Sequence, residues 1–180
     1  MQRTYLMISV LLLLIVTSPL AGKEFLTDKE IELIQDTQEI GPRTVLYMDA
    51  AKARLKAAEE RLHGRESLPG DPFEFFTPED MMEGYYRILQ SVMYNLDEAF
   101  QAPGPSREQV RKALNALKKT TEYAAKELEI LKRLAEEKQK EELWNRINQA
   151  IEITQGALDG AESGLTRLPP PAQDKKSRTR

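Results

Sequence analysis

The fold is decided by residues 106–135, SREQVRKALNALKKTTEYAAKELEILKRLA, which follow a proline-glycine-proline break at residues 103–105. The first four residues, Ser106-Arg107-Glu108-Gln109, have the pattern of a helix capping box. Beyond them, apolar and small side chains recur at alternating intervals of four and three residues: Val110, Leu114, Leu117, Thr121, Ala124, Leu128, Leu131 and Ala135. A stripe with this period runs along one face of a helix that packs in a bundle.

A second stripe follows the first in a new phase, after a charged stretch at residues 136–142. Its members are Leu143, Ile147, Ala150, Thr154, Ala157 and Ala161. One continuous helix over 106–161 would be about 84 Å long at 1.5 Å per residue, and the helices predicted upstream could cover less than half of it. We therefore expect a turn between Glu136 and Glu142 and an antiparallel hairpin, although no Gly or Pro marks the turn.

Three further helices are predicted upstream. Thr27-Asp28-Lys29-Glu30 is a capping box that opens a short helix ending near Gln38. Gly41-Pro42 starts an Ala-rich helix, with Pro42 expected at its first position, running over residues 43–63 and stopping at Gly64. Thr77-Pro78 starts the third, whose buried face is expected to carry Met81, Tyr85, Leu89, Val92, Leu96 and Ala99.

Strand signals are nearly absent, because β-branched residues are few and no polar/apolar alternation persists. The predicted fold is therefore all-α: an antiparallel up-and-down bundle of four long helices plus a short N-terminal helix. This bundle is expected to occupy residues 23–166. Residues 1–22 are interpreted as a signal peptide and residues 167–180 as a disordered, Pro-rich basic tail.

The signal peptide is predicted from residues 5–16, YLMISVLLLLIV, an uncharged run between a basic start and a small-residue exit. The run is shorter than the roughly 20 apolar residues that a membrane span needs. The cleavage sequence fits poorly, because Pro19 or Leu20 falls where a small residue is expected, so an uncleaved N-terminal anchor stays open. Lys23 stands where a bacterial lipoprotein has its lipid-bearing Cys. We thus expect an exported protein, periplasmic or extracellular, that is not a lipoprotein.

Charge is distributed unevenly along the chain. Residues 23–166 carry a net charge of −8, whereas residues 167–180 carry +4. An acidic body argues against nucleic acid as a partner, since nucleic acids are bound through clustered cations. The cations of the tail, Lys175, Lys176, Arg178 and Arg180, are interpreted either as a solubilising end or as a weak tether to anionic surfaces. Contact with a membrane is expected only through this tail or through an uncleaved N-terminal segment.

Residue types that carry catalysis or bind metals are scarce. The chain has no Cys and one His, so thiol chemistry and sites with several histidines are excluded. Glu60-Arg61-Leu62-His63 matches the Glu-x-x-His element of di-iron bundles, but such sites need that element twice. We expect His63 instead to interact with the negative end of the helix dipole at the C-terminus of its helix. No enzyme activity, cofactor or metal is predicted.

The least bundle-like segment is residues 64–76, GRESLPGDPFEFF, which is longer than most helix connections and rich in aromatic residues. The candidate binding residues are Phe73, Phe75 and Phe76, with Tyr85 and Tyr86 shortly after them. One interpretation is an aromatic lip that binds a ligand or partner. The other is a lid that packs onto the end of the bundle.

These observations predict a non-enzymatic helical module that binds another protein or an envelope component. The alternative is a bundle that binds or senses a small ligand through residues 64–76, which requires an accessible pocket behind Phe73, Phe75 and Phe76. The sequence identifies neither the partner nor the oligomeric state, because helical bundles serve many unrelated functions.

Overall fold

The computed structural model describes residues 25–101 and 106–169. The predicted signal peptide and tail cations lie outside these residues. Every regular element within the described ranges is a helix: α1 Asp28–Asp36, α2 Ile40–Leu62, α3 Pro78–Gln101, α4 Arg107–Glu137 and α5 Glu141–Arg167. The predicted all-α bundle of four long helices and one short N-terminal helix is confirmed.

The four long helices form a square in which consecutive helices run in opposite directions. Helix α2 packs against α3 and α4, and α5 packs against α4 and α3, so that α3 and α4 lie across a diagonal. The starts of α2 and α4 lie side by side, since the Gln109 side chain donates to the Glu39 carboxylate. In the α4–α5 hairpin, Lys118 pairs with Glu162, as antiparallel neighbours require. The connection between α2 and α3 therefore lies at the opposite end from the starts of α2 and α4.

Both sequence stripes form the core. All eight members of the α4 stripe and all six members of the α5 stripe are buried, and so are the six residues predicted for α3. Helix α3 also buries Met82, Gly84 and Ile88. The predicted apolar faces of α3, α4 and α5 thus meet in the core. Burial of each large aliphatic side chain stabilises the bundle by roughly 1.5–3 kcal/mol.

The predicted turn between α4 and α5 is confirmed and has a defined geometry. Lys140 N–H donates to the Ala135 carbonyl at 2.9 Å, and Gln139 N–H donates to the Glu136 carbonyl at 3.0 Å. This pair of bonds is the Schellman motif, which places its C′ residue in the left-handed region. Gln139 occupies that position with a φ of 54°. A glutamine therefore occupies the position at which glycine is the usual residue.

Helix α2 ends with the same motif, but here the C′ residue is Gly64, with a φ of 76°. Arg65 N–H donates to the Glu60 carbonyl and Gly64 N–H to the Arg61 carbonyl, both at 2.9 Å. The predicted stop at Gly64 follows from this geometry.

Two predicted helix starts need correction. Helix α2 begins at Ile40 with Glu39 as its N-cap, so Pro42 is the third helical residue and not the first. Its missing N–H still costs nothing, because amides in the first turn have no intrahelical partner. At α4, the Ser106 hydroxyl accepts from Gln109 N–H at 3.2 Å. The reciprocal half of the expected capping box is replaced by the bond from the Gln109 side chain to Glu39.

Candidate functional site: the aromatic loop

The candidate site is the connection between α2 and α3, residues 63–77, which we call the aromatic loop. Three consecutive turns shape it, closed by backbone bonds of 2.9–3.0 Å: Asp71 N–H to Leu68, Glu74 N–H to Asp71, and Phe76 N–H to Phe73. Gly70, with a φ of 85°, supplies the left-handed residue that the first turn needs. The loop therefore has a defined backbone, although it contains no helix.

Side chains fix the loop further. Arg61, in the last turn of α2, donates to the Phe73 carbonyl at 2.9 Å, to the Arg65 carbonyl at 3.2 Å and to the Ser67 hydroxyl. The Asp71 carboxylate accepts from Phe73 N–H at 2.7 Å, and the Glu74 carboxylate accepts from Gly70 N–H at 2.8 Å. These bonds join both halves of the loop to the end of α2.

Two of the three phenylalanines face the bundle. Phe73 and Phe76 are half-buried and pack against the core, and their rings meet edge to face with centroids 6.0 Å apart. The Arg54 guanidinium lies 4.9 Å from the centroid of the Phe73 ring, within the range of a cation–π interaction. These two residues match the lid interpretation.

Arg54 is a structural residue that the sequence analysis missed. It is only 2 % exposed, yet all five of its N–H groups are used. They donate to the Phe25 carbonyl, to the Ala50 carbonyl and to both carboxylate oxygens of Glu30. Gly84 of α3 lies beside the guanidinium, at a distance where an added Cβ would make van der Waals contact with Arg54 Nε at 3.4 Å. A buried charge is tolerated at this place because every donor has a partner.

Glu30 closes the same network from α1. Its carboxylate accepts from Thr27 N–H at 2.7 Å, so the predicted capping box is present and also binds Arg54. Burial alone would raise the pKa of Glu30, but the hydrogen bonds from Arg54 and Thr27 outweigh it and hold the pKa below its ordinary value of 4.5. The network thus joins the segment before α1, helix α2 and the Phe73 ring of the loop.

Phe75 and Leu68 point the other way. Phe75 is 78 % exposed and Leu68 is 79 % exposed, the highest values among the large apolar residues that the structure describes as exposed. Single exposed apolar residues are common on protein surfaces. Two on a loop whose backbone is fixed at many points are a feature of protein-binding sites, because little conformational entropy is lost on association.

The two tyrosines named with the loop are not part of its exposed surface. Tyr85 is fully buried, and its hydroxyl lies 2.6 Å from the Thr154 hydroxyl across the core. Burial raises the pKa of Tyr85 well above its ordinary value of 10.0. Tyr86 is half-buried on α3, where its hydroxyl accepts from the Gln90 side chain at 3.1 Å. The structure therefore separates Tyr85 from the exposed Phe75.

The surroundings of the loop are acidic. Residues 64–80 contain five carboxylates and one arginine, a net charge of −4. Near the starts of α3 and α5, Glu79 of this segment lines a cleft of about 500 Å³ together with two further carboxylates, Glu83 and Glu142. Arg146 pairs with Glu83 there at 2.7 Å. An acidic surface with protruding apolar side chains is complementary to a partner that carries cations around an apolar depression.

Other sequence candidates occupy structural positions. His63 is the C-cap of α2, with its Nε2 3.8 Å from the Glu59 carboxylate. Within residues 25–101 and 106–169, no group of three or more acidic or histidine side chains is arranged to hold a metal ion. None of the helices described is both long enough and apolar enough to cross a membrane.

The three clefts described for this molecule are not lined by Phe73, Phe75 or Phe76. The largest lies at the far end of the bundle, near the starts of α2 and α4.

Comparison with known proteins finds no matching protein family, no matching curated protein and no matching solved structure.

Proposed function

We propose that this chain is an exported, non-enzymatic helical module that binds another protein of the cell envelope through the aromatic loop. The observation that carries the proposal is the pair Leu68 and Phe75, which protrude from a loop fixed by Arg61, Asp71 and Glu74. A preorganised loop with exposed apolar side chains provides anchors for a protein interface.

The charge around the loop selects the partner. Five carboxylates in residues 64–80 favour a cationic surface and disfavour an anionic one such as a phospholipid headgroup. Phe75 and Leu68 would enter an apolar depression on that surface, and the carboxylates would form its polar rim. Export is supported by the N-terminal sequence pattern of residues 1–22.

A photo-crosslinking experiment tests the proposal. A benzophenone amino acid replaces Phe75 in the full chain, which is then irradiated with the native envelope fraction. We expect one discrete adduct, lost when Leu68→Ser is added and weakened by high salt. The matched control carries the same group at Tyr94, an aromatic residue 64 % exposed on α3.

Adducts of the same size and yield from both positions would reflect nonspecific exposure and would contradict the proposal. No discrete adduct from position 75 would contradict it equally. Thermal melts of both labelled proteins must match the wild type, which is expected because both side chains are exposed.

A further inference from the structure

Helix α1 and the residues just before it form one segment, residues 25–36, which we call the strap. Of the nine residues of α1, all within the described part of the chain, Ile34 alone is buried. Among the described helices, α1 packs only against α2. Before α1, Phe25 and Leu26 are half-buried against the core. The strap therefore depends on few apolar contacts, and such segments open more readily than a packed core.

Arg54 of α2 uses most of its hydrogen bonds to hold the strap. Two of its five N–H groups donate to the Phe25 carbonyl, at 3.1 and 2.7 Å, and two donate to the Glu30 carboxylate, at 2.6 and 2.7 Å. The fifth donates to the Ala50 carbonyl within α2 at 2.9 Å. A Cβ added at Gly84 of α3 would lie 3.6 Å from the Phe25 carbonyl oxygen. The strap is therefore attached where α2 and α3 meet.

The orientation of the Arg54 side chain depends on the strap in return. The side chain is almost completely buried, and a buried donor that has no acceptor is costly, most of all when it is charged. Departure of the strap would take the acceptors away from four N–H groups at once. The guanidinium would then turn toward water, as the charged end of a long side chain does when its stem stays against apolar surface.

The same guanidinium contacts the aromatic loop. Its central carbon lies 4.9 Å from the centroid of the Phe73 ring, and that ring meets the Phe76 ring edge to face. A turn of the guanidinium toward water would remove the cation that lies against the Phe73 ring. Attachment of the strap and the position of Phe73 therefore depend on one shared side chain, Arg54.

We propose that the strap opens and closes as a unit while the four long helices stay folded, and that its attachment stabilises the aromatic loop through the shared Arg54 guanidinium. Because such coupling is reciprocal, the loop in its described conformation stabilises the attached strap by the same factor. The consequence for binding rests on the function proposed above: a partner of the aromatic loop binds more tightly when the strap is attached, and it holds the strap closed.

Hydrogen exchange of the backbone amides of the full chain, followed by NMR under conditions where rates report opening equilibria, tests the proposal without a partner. In the wild type, α1 amides such as that of Ile34 should exchange faster than core amides of α4 such as that of Leu128. Phe73→Leu should raise the exchange rates of the α1 amides about twofold to fivefold, the factor that corresponds to one cation–π contact, and leave those of α4 unchanged. Leu68→Ala, at an exposed position of the same loop, is the matched control and should leave the α1 amides unchanged.

A variant with a detached strap tests the coupling in the reverse direction. Glu30→Lys combined with Ile34→Ser removes the carboxylate that binds Arg54 and the buried side chain of α1, and the chemical shifts of the α1 amides report the detachment. The Phe73 and Phe76 amides, which both donate hydrogen bonds within the loop, should then exchange about twofold to fivefold faster. Glu32→Lys, at an exposed position of α1, is the matched control and should leave both loop amides unchanged.

When Phe73→Leu is already present, detachment of the strap should no longer change the exchange of the Phe76 amide, because the shared contact is gone. Three results would overturn the proposal: equal exchange rates of the α1 and α4 amides in the wild type, α1 amides unaffected by Phe73→Leu, or loop amides unaffected by detachment of the strap. If the detached variant fails to fold, the comparison of Phe73→Leu with the wild type decides. Because no partner is present, failure of the photo-crosslinking experiment would remove the consequence for binding and leave the coupling itself to these measurements.

Discussion

The Arg54 guanidinium and the Glu30 carboxylate form a two-point ion pair, with hydrogen bonds of 2.6 and 2.7 Å, between the middle of α2 and the start of α1. The arginine is almost completely buried, whereas the glutamate side chain is 20 % exposed. The same guanidinium contacts the Phe73 ring. The pair therefore connects α1 to the aromatic loop as well as to the core.

We predict that Glu30→Gln flattens the acid limb of the stability curve. Because the pKa of Glu30 is lowered from 4.5 in the folded protein, its stabilising contribution is complete above about pH 4.5 and is lost as the pH falls through the folded value. At neutral pH the substitution should cost roughly 1.5–3 kcal/mol, since a charge-assisted bond to a buried cation is lost.

Urea melts between pH 3 and 7 measure this effect. The wild type should lose stability more steeply than Glu30→Gln below about pH 4.5. Glu32→Gln, on an exposed position of the same helix, should keep the wild-type profile. Parallel curves for the wild type and Glu30→Gln would show that the ion pair contributes nothing to acid sensitivity.

Removing the Tyr85 hydroxyl and removing the Thr154 hydroxyl should destabilise the protein by different amounts. The Thr154 hydroxyl donates to the Ala150 carbonyl at 2.6 Å, so its oxygen accepts from Tyr85 in the 2.6 Å contact between them. Tyr85→Phe removes a donor and leaves Thr154 bonded, which should cost about 0.5–1.5 kcal/mol. Thr154→Val keeps the shape but leaves a buried hydroxyl without an acceptor, which should cost about 1–3 kcal/mol.

The two single variants and the double variant form a cycle that chemical denaturation can measure. We expect Thr154→Val to be the more destabilising single change, and Tyr85→Phe to recover part of its loss in the double variant. Additive costs would mean that the hydroxyls do not interact across the α3–α5 interface.

The two Schellman motifs predict substitutions of opposite sign. Gln139→Gly should stabilise the protein by up to about 1 kcal/mol. The left-handed conformation costs an L-residue roughly 1–2 kcal/mol, and the gain from removing this strain is partly offset because glycine loses more conformational entropy on folding. Gly64→Ala should destabilise it by about 1 kcal/mol, since the strain is introduced with no new contact: nothing lies within 4 Å of an added Cβ. Thermal melts that shift in the same direction for both variants would refute the assignment of these turns.

The sequence predicted most of the fold because the stripes from Val110 to Ala135 and from Leu143 to Ala161 are local periodic patterns. The turn between them was predicted from the excessive length of a single helix and from the change of phase between the two stripes. Nothing in the sequence indicates that Gln139 adopts a left-handed conformation. Arg54 was missed for a different reason. Its burial depends on hydrogen bonds to the Phe25 carbonyl and the Glu30 carboxylate. These partners lie more than 20 residues away along the chain, so no local sequence pattern indicates the contacts.

The candidate loop was predicted as a segment but not in its orientation. The sequence does not show which of the three phenylalanines faces outward. In the structure, Arg61 donates to the Phe73 carbonyl and Arg54 contacts the Phe73 ring, whereas Phe75 is exposed. Tyr85 was grouped with the loop by proximity in sequence, whereas its place in the α3 stripe put it in the core. Both distinctions depend on tertiary contacts.

The tail supplies the last prediction, which concerns residues outside the described part of the chain. Residues 172–180 contain Lys175, Lys176, Arg178 and Arg180 against one acid and no large apolar side chain. We expect deletion of these nine residues to leave the thermal melt unchanged, because such a segment has little apolar surface to bury on the bundle. Weak binding to vesicles of anionic lipid at low salt should be lost, since each cation near such a surface contributes roughly 1 kcal/mol.

Replacing the four cations with glutamine in the full-length chain separates charge from length. If electrostatic attraction is the cause, this variant should fail to sediment with anionic vesicles, as the deletion variant does. The wild type should be released from the vesicles as the salt concentration rises, because exposed charges are screened beyond about 8 Å at physiological ionic strength. Vesicles of neutral lipid should bind none of the three proteins. Equal sedimentation of the wild type and the glutamine variant with anionic vesicles would contradict the tether and leave the tail as a solubilising end.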